Sequence, residues 1–137
     1  MTRREIIQSF IPQSPLVRHL GIELKSLEQD RAELLLPYRP ELATIGDVVH
    51  GGAIATLIDT VGTAAAWADD AEAPESSTGS TVSMTVEYME AARGGDLLAT
   101  GTPVRRGRSI CFCDVTVTEP PGERVVAKGI AVYRFTR

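Results

Sequence analysis

The feature of this sequence that most restricts its fold is one long segment, residues 51–69, which is apolar around nearly its whole circumference as a helix. Its apolar residues recur at the i, i+3, i+4, i+7 spacing of an α-helix. Few polar side chains interrupt them, namely Thr56, Asp59, Thr60 and Thr63. A helix that is apolar on almost every face is normally buried. The sequence therefore predicts one long helix, and we expect a sheet to wrap around it.

Segments with the residue alternation of β-strands flank this helix. Two precede it and four follow it, at residues 21–27, 31–36, 81–89, 96–105, 109–119 and 125–135. A short polar connection joins the first two and predicts a hairpin, while Gly101 and Pro103 predict a bulge or an edge in the fourth. This order predicts an α+β fold, in which a curled antiparallel sheet is wrapped around one long central helix.

The same alternation predicts which side chains share a strand face. Along residues 81–89, four side chains are expected on one face, Val82, Met84, Val86 and Tyr88. Thr81 begins the opposite face. Along residues 109–119, one face carries two cysteines and two valines, Cys111, Cys113, Val115 and Val117. No base is positioned beside the cysteines, so we expect buried core thiols.

The start of the chain predicts two short helices. Residues 3–11 have roughly helical apolar spacing, which ends at Pro12. Residues 14–20 form the second helix, with Ser14 as its N-cap and Gly21 as its C-cap.

The remaining segments and the chain length predict the domain organisation. Polar composition and turn residues indicate loops at residues 39–49 and 69–80. A chain of 137 residues has room for one core of ordinary size. We therefore expect a single domain over residues 1–137, with residues 1–20 as an N-terminal helical segment.

Charge and composition exclude several classes of function. The formal charge is −4, from 14 basic and 18 acidic residues, which is a poor basis for binding nucleic acid. No apolar run is long enough to cross a bilayer, and the N-terminus lacks the apolar core of a signal peptide. Cys111 and Cys113 are too close in sequence for a framework disulfide. We expect a cytoplasmic protein that binds neither nucleic acid nor a membrane.

Several catalytic motifs are absent from the sequence. It contains no G-x-S-x-G elbow, no P-loop, no G-x-G-x-x-G and no H-E-x-x-H. His19 and His50 are far apart, and neither has a cysteine or carboxylate at ligand spacing. We therefore expect no metal and no bound cofactor.

The most informative motif is His50-Gly51-Gly52, which opens the long helix that carries Asp59. Two glycines let a ligand approach the free N–H groups of the first turn, where the helix dipole suits a developing oxyanion. A carboxylate in an apolar helix is costly without a partner or a purpose. Each feature also has a structural explanation: Asp59 can bond a hydroxyl or face solvent, the glycines can pack closely, and His50 can simply precede the helix. Together, on the only long buried helix, they favour a catalytic site.

The spacing within this motif adds a geometric requirement. Gly51 and Asp59 are separated by eight positions, about 12 Å along a helix. One substrate carbonyl cannot lie within about 3 Å of both groups in the same chain. If both act on one carbonyl, the aspartate must come from a second copy across a two-fold axis. The catalytic interpretation therefore predicts a homodimer.

At these residues the sequence resembles a known family. The segment HGGAIATLIDTVGTAAAW, preceded by RPELATIGDVV, resembles the hotdog-fold acyl-CoA thioesterases of the phenylacetate-degradation (PaaI-like) type. The resemblance continues through STVSMTVEYMEAARGGDLLATGTPVRRGRS and covers roughly residues 14–135. It implies a hotdog fold whose copies join their sheets edge to edge, with a homodimer as the minimum and a homotetramer as the expected assembly. It also implies an acyl-CoA substrate and a place in fatty acid metabolism.

The resemblance implies roles for individual residues. Asp59 would activate water or attack the thioester, the Gly51 N–H would bind the thioester oxygen, and Thr81 would help to hold the water. His50 and Gly52 would contribute to substrate binding beside them.

The resemblance also implies a binding site for coenzyme A. Gly107, Arg108 and Ser109 match a corner of the family that lies near the pantetheine and the phosphates. Charge supports this, because residues 93–108 carry a net charge of +3 and the other 121 residues carry −7. Arginine is the preferred phosphate donor, so Arg93 and Arg106 join the predicted set. The alternative is a solvated strand end with salt bridges to nearby carboxylates.

Two positions depart from the family pattern. Thr44 stands where many members have Asn or Gln, and Asp47 replaces the usual glycine. A second oxyanion donor or a water-positioning amide would then be missing or replaced.

The predicted function is hydrolysis of an acyl-CoA thioester, with the acyl chain in an apolar tunnel between two central helices. Trp67 or Met84 would either shorten that tunnel or fill the core. Two alternatives stay open. A hotdog hydratase or dehydratase would use a histidine and an acid, which His50 and Asp59 superficially offer. A non-catalytic acyl-CoA-binding protein is the other, and Thr44 is one of the departures in its favour.

Overall fold

The computed structural model describes residues 1–136, which form three α-helices and eight β-strands. The helices are α1 (Arg3–Phe10), α2 (Pro15–Leu20) and α3 (Gly51–Ala66). The strands are β1 (Glu23–Glu28), β2 (Arg31–Leu36), β3 (Ala43–Ile45), β4 (Val48–Val49), β5 (Thr78–Tyr88), β6 (Leu97–Arg106), β7 (Ile110–Glu119) and β8 (Arg124–Thr136). The α+β class, the two N-terminal helices and the long central helix are therefore confirmed.

Six of the strands form one antiparallel sheet in the order β1-β2-β6-β7-β8-β5. The central helix α3 packs against five of them, β2, β5, β6, β7 and β8. The strand that follows the helix, β5, lies at one edge of the sheet and, among residues 1–136, pairs only with β8. The sheet thus curls around α3, as the sequence predicts, and leaves a long strand at one edge.

Close contact between α3 and the sheet depends on two glycines. A Cβ at Gly62 would lie 2.6 Å from the Cβ of Ala131, and one at Gly101 would lie 3.0 Å from the carbonyl oxygen of Val61. Any larger side chain would push the helix away from β6 and β8. The predicted bulge in β6 is confirmed beside Pro103, one of the two residues that predict it, because the register shifts between Pro103 and Arg105.

One face of α3 is not covered by the sheet. The sheet-facing side chains of α3, such as Leu57 and Val61, are fully buried. The opposite face carries one partly exposed row of side chains, Thr56, Asp59, Thr60 and Thr63. We call this row the polar stripe. Burial of the helix on every side, as the composition suggests, is not complete within one chain.

The helix α3 ends at Ala66, three residues before the predicted end at residue 69. The guanidinium of Arg106 donates to the carbonyl oxygens of Ala65, Ala66 and Ala68. At Ala66 it takes the place of the backbone N–H that a longer helix would supply. Two aspartates follow at this end of the helix, where negative charge opposes the dipole.

A bulge in β5 corrects the predicted faces of that strand. Thr81 pairs with Tyr133 and Ser83 pairs with Val132, so Val82 is the extra residue between them. Val82 is 45% exposed rather than buried. The bulge instead turns Thr81 to the inner face that carries Met84, a rotation that strict alternation does not predict.

The segment predicted as a loop at residues 39–49 contains a small hairpin. Its two strands are β3 and β4, and a turn at Gly46 and Asp47 joins them. The prediction was wrong about the strands because each has at most three residues, too few for a periodic pattern.

The core contains the cysteine face predicted for β7. Cys111 and Cys113 are both buried, with their sulfur atoms 3.7 Å apart. The hydrogen bond between the two thiols raises the pKa of Cys113 far above its usual range, and burial raises it further. The same bond lowers the pKa of Cys111.

Within the described residues, no helix has the length and apolar character needed to cross a membrane.

Candidate active site

The centre of the candidate site is a hydrogen bond between α3 and β5. The hydroxyl of Thr81 donates to Oδ1 of Asp59 at 2.6 Å. Asp59 is partly buried in the polar stripe, so its carboxylate has a fixed partner and one oxygen left for another donor. The carboxylate is therefore held in place and still accessible from outside the core.

Thr81 reaches Asp59 only because of the bulge at Val82. Without the extra residue, Thr81 would face away from α3. Bulges often re-aim a side chain beside an active site. The pair joins two of the three residues that the sequence predicts to be catalytic.

The third predicted catalytic residue, Gly51, is the first residue of α3. Its N–H finds no hydrogen-bond acceptor among residues 1–136. Its carbonyl accepts a hydrogen bond from the hydroxyl of Tyr88 at 2.9 Å, and a Cβ at Gly51 would lie 3.4 Å from the Tyr88 ring. Tyr88 thus holds the first peptide of the helix, a contact that the sequence analysis missed. Tyr88 lies at the end of a strand, and nothing in the neighbouring sequence indicates that its hydroxyl contacts the helix.

His50 and Gly52 are joined to each other. The Gly52 N–H donates to Nδ1 of His50 at 2.7 Å, which makes His50 the N-cap of α3. Both groups are therefore used within the chain, in a structural contact of the kind that caps helices. Substrate contacts by His50 and Gly52 stay predictions.

Gly51 is the first residue of α3, and Asp59 lies near its middle. The observed helix is continuous from Gly51 to Ala66, so their spacing is about 12 Å, as expected from eight residues. Within one chain the free amide and the carboxylate cannot meet at one carbonyl.

The corner between β6 and β7 forms a tight turn. The Gly107 N–H donates to the carbonyl oxygen of Ile110 at 2.7 Å, and the carbonyl oxygen of Ser109 accepts from Phe135. Between them Arg108 is exposed at the surface. The backbone N–H of Gly107 and the carbonyl of Ser109 are thus bonded within the chain, and phosphate binding at this corner stays a prediction.

Arg106 corrects the predicted phosphate-binding set. Besides the helix carbonyls, its guanidinium pairs with Asp30 at 2.9 Å and with Asp69 at 3.2 Å. Its side chain is 25% exposed, and that of Asp69 is 11% exposed. The guanidinium thus binds groups of this chain at the C-terminal end of α3, where the helix dipole stabilises a cation.

Replacing Arg106 by alanine is expected to lower the free energy of unfolding by about 2–4 kcal/mol. The change leaves the carbonyl oxygen of Ala66 without a donor and removes the charged partner of Asp30 and Asp69. The carbonyl oxygens of Ala65 and Ala68 keep the N–H groups of Ala68 and Asp30, and Asp69 keeps Arg3. Urea denaturation followed by circular dichroism would measure it. The matched control is alanine at the neighbouring exposed Arg105, which is expected to stay within about 0.5 kcal/mol of the unmodified chain. Equal stability of the two variants would contradict this role for Arg106.

Arg93 lies far from the other predicted phosphate ligands. It precedes β6, and its guanidinium lies 3.8 Å from Oδ1 of Asp47. Arg108 follows the other end of β6, and ten residues of strand span roughly 30 Å. The basic segment therefore does not form a single patch in one chain, because an extended strand separates its charges.

The two residues that depart from the family pattern lie near the start of α3. Thr44 lines a surface groove together with Gly51 and Tyr88. The carbonyl of Asp47 accepts a hydrogen bond from the N–H of Gly94, and the side chain of Asp47 is 56% exposed.

Across the described chain, no three side chains of the types His, Cys, Asp and Glu are grouped to hold a metal ion.

Comparison with known proteins connects this geometry to a family. A sequence profile of the thioesterase superfamily matches residues 46–126. A Halobacterium salinarum protein that carries a provisional esterase name is 31% identical over 134 residues, covering 90% of this chain and 87% of that protein. Acyl-coenzyme A thioesterase 13 of Homo sapiens is 28% identical over 128 residues, covering 92% and 89%. The E. coli PaaI protein from the phenylacetic acid degradation operon has the same fold, with a TM-score of 0.84, 15% identity, and coverage of 98% of this chain and 94% of that one.

Proposed function

The chain belongs to the thioesterase superfamily and is a thioester hydrolase, and we propose that it hydrolyses an acyl-CoA to a free acid and coenzyme A. The observation that carries the proposal is the Asp59 carboxylate, held at 2.6 Å by Thr81 on the partly exposed face of the central helix. A relative named as an acyl-coenzyme A thioesterase supports the choice of substrate.

The proposed site is shared between two copies of the chain. Asp59 and Thr81 come from one copy, and the free N–H of Gly51 comes from the partner subunit. The edge strand β5 supports such a dimer, because its 11 residues pair with β8 on one side only. A long unpaired strand edge is a ready template for another strand. Val82 and Tyr88, which are 45% and 55% exposed, lie on this strand.

In the proposed reaction, Asp59 accepts a proton from a water molecule as the water oxygen attacks the thioester carbon. The tetrahedral oxyanion receives a hydrogen bond from Gly51 of the partner subunit and favourable potential from its helix dipole. The C–S bond then breaks, and the proton passes from Asp59 to the leaving thiolate. Direct attack by Asp59, followed by hydrolysis of the mixed anhydride, uses the same groups.

The contact at His50 occupies one of the two ring nitrogens that a hydratase of the kind considered above could use. Nδ1 of His50 accepts the Gly52 N–H at the start of α3, so only Nε2 is left for proton transfer. Incubation with 2-enoyl and 3-hydroxyacyl thioesters tests the alternative, since free thiol identifies a hydrolase and double-bond chemistry identifies a hydratase. Tight acyl-CoA binding without thiol release would instead identify a non-catalytic binding protein.

Replacing Arg108 by alanine is expected to raise KM for acyl-CoA roughly tenfold with little change in kcat. Arg108 is exposed at the proposed phosphate corner, and a charged hydrogen bond to phosphate would be lost. The measurement is a thiol-release assay with octanoyl-CoA and with octanoyl-pantetheine, which has no phosphate. The effect should appear only with the CoA ester. An equal rise with both substrates, or an equal effect of alanine at Arg105, would contradict the assignment.

A further inference from the structure

A cavity within the single chain lies beside the candidate site. The cavity is open to solvent, and the empty space within it and at its mouth is about 460 Å³. Apolar side chains of α1 form part of its wall, and Trp67, Tyr133 and Thr63, the last residue of the polar stripe, also line it. Burial raises the pKa of the Tyr133 hydroxyl, which keeps the phenol uncharged. No lining side chain carries a charge, so the cavity suits an uncharged apolar ligand.

Asp59 and Thr81 do not line the cavity, but two of its lining residues, Thr63 and Tyr133, are neighbours of the pair. Thr63 is four residues after Asp59 and therefore lies one helical turn further along the same face. Tyr133 is the strand partner of Thr81. Trp67 follows one more turn along the chain, about 12 Å from Asp59. An acyl group whose carbonyl lies at Asp59 would thus point into this cavity and end against Trp67.

The wall formed by α1 is firmly attached to the rest of the chain. The guanidinium of Arg3 lies 4.0 Å from the centre of the Phe135 ring and 3.2 Å from the carboxylate of Asp69. Arg4 pairs with Asp70 at 2.6 Å. A capping box fixes the first turn of α1. The cavity is therefore preformed, and its depth is set by the fold.

We propose that this cavity holds the acyl group of the substrate and that α1 and Trp67 set the acyl length. The inference rests on the proposed function and places the acyl group within one chain, instead of between two central helices. The ligand class is an uncharged acyl group of medium length or with a single ring. A long-chain acyl group would meet Trp67 before it was fully buried.

The test uses two substitutions with opposite effects on the space available. Thr63→Leu narrows the cavity entrance and places a good helix former in α3. It is expected to lower kcat/KM for octanoyl-CoA about tenfold and to change that for acetyl-CoA within about twofold. Phe10→Ala removes a side chain that is 60% exposed at the wall. It is expected to raise the ratio of hexadecanoyl-CoA to octanoyl-CoA hydrolysis about fivefold.

Phe112→Ala is the matched control, because Phe112 is 39% exposed on the outer face of β7, away from the cavity. It is expected to leave the acyl-length profile unchanged. Profiles of Thr63→Leu and Phe10→Ala that both equal the control profile would overturn the inference, provided that circular dichroism shows folded proteins.

A second measurement separates this inference from the proposed function. Trp67 is the only tryptophan in the chain and lines the cavity, so its fluorescence reports occupancy directly. Octyl-CoA, a thioether that cannot be hydrolysed, is expected to shift the Trp67 emission, and Thr63→Leu is expected to abolish the shift. If no acyl-CoA is hydrolysed but the emission shifts, the acyl-site inference is supported and the proposed hydrolysis is refuted. If hydrolysis proceeds without any shift in emission, only the acyl-site inference is refuted.

Discussion

Replacing Asp59 by asparagine is expected to lower kcat for acyl-CoA hydrolysis by about 10²- to 10⁴-fold. Asparagine has the same shape, and its Oδ1 can still accept the hydrogen bond that Thr81 donates at 2.6 Å. What it removes is the basic oxygen that takes a proton from water or attacks the thioester. Release of coenzyme A thiol, followed with a chromogenic thiol reagent, would measure the loss.

The control for this variant is asparagine at Asp114, on the outer face of β7. It is expected to retain full activity because it changes the same charge far from α3. Both variants should keep the elution volume of the unmodified protein and a free energy of unfolding within about 1 kcal/mol of it. An Asp59→Asn protein that releases thiol at the normal rate would refute the catalytic role of Asp59.

Removing the N–H of Gly51 is expected to have the next largest effect. Proline at this position removes the donor, and the first position of a helix is where proline is best tolerated. The preceding residue, His50, has φ −60° and ψ 134°, a conformation that a following proline allows. Gly51→Pro is expected to lower kcat by about 10²- to 10³-fold, the cost of one oxyanion donor. Gly51→Ala, which keeps the N–H, should lose far less activity.

Mixing the two inactive variants tests whether the site is shared. After subunit exchange, a heterodimer of Asp59→Asn and Gly51→Pro chains has one site with both changes and one site with neither. Random exchange of equal amounts should restore about a quarter of the unmodified activity. The same mixture before exchange supplies the baseline. No recovery after verified exchange would mean that the two groups do not act together across a dimer interface.

Local patterns in the sequence were sufficient to predict the fold. The apolar spacing of α3 and the alternation of the six long strands each depend on the chemistry of neighbouring residues alone. Together they led to the α+β class and the central helix, and the resemblance to hotdog thioesterases is confirmed by the family match. Asp59 was identifiable because an ionised side chain in an apolar helix has a high cost.

Only the tertiary structure decided which side chains meet at the site. A bulge of one residue turns Thr81 toward Asp59, and strict alternation along β5 predicts the opposite. The guanidinium of Arg106 closes α3, whereas sequence alone places it in a phosphate site. The cavity beside Thr63 depends on α1, whose position is set by contacts with residues more than 60 positions away. The periodicity of apolar residues is a local property and can be seen in the sequence. Strand register and the contacts between side chains of different elements depend on how all the elements pack together.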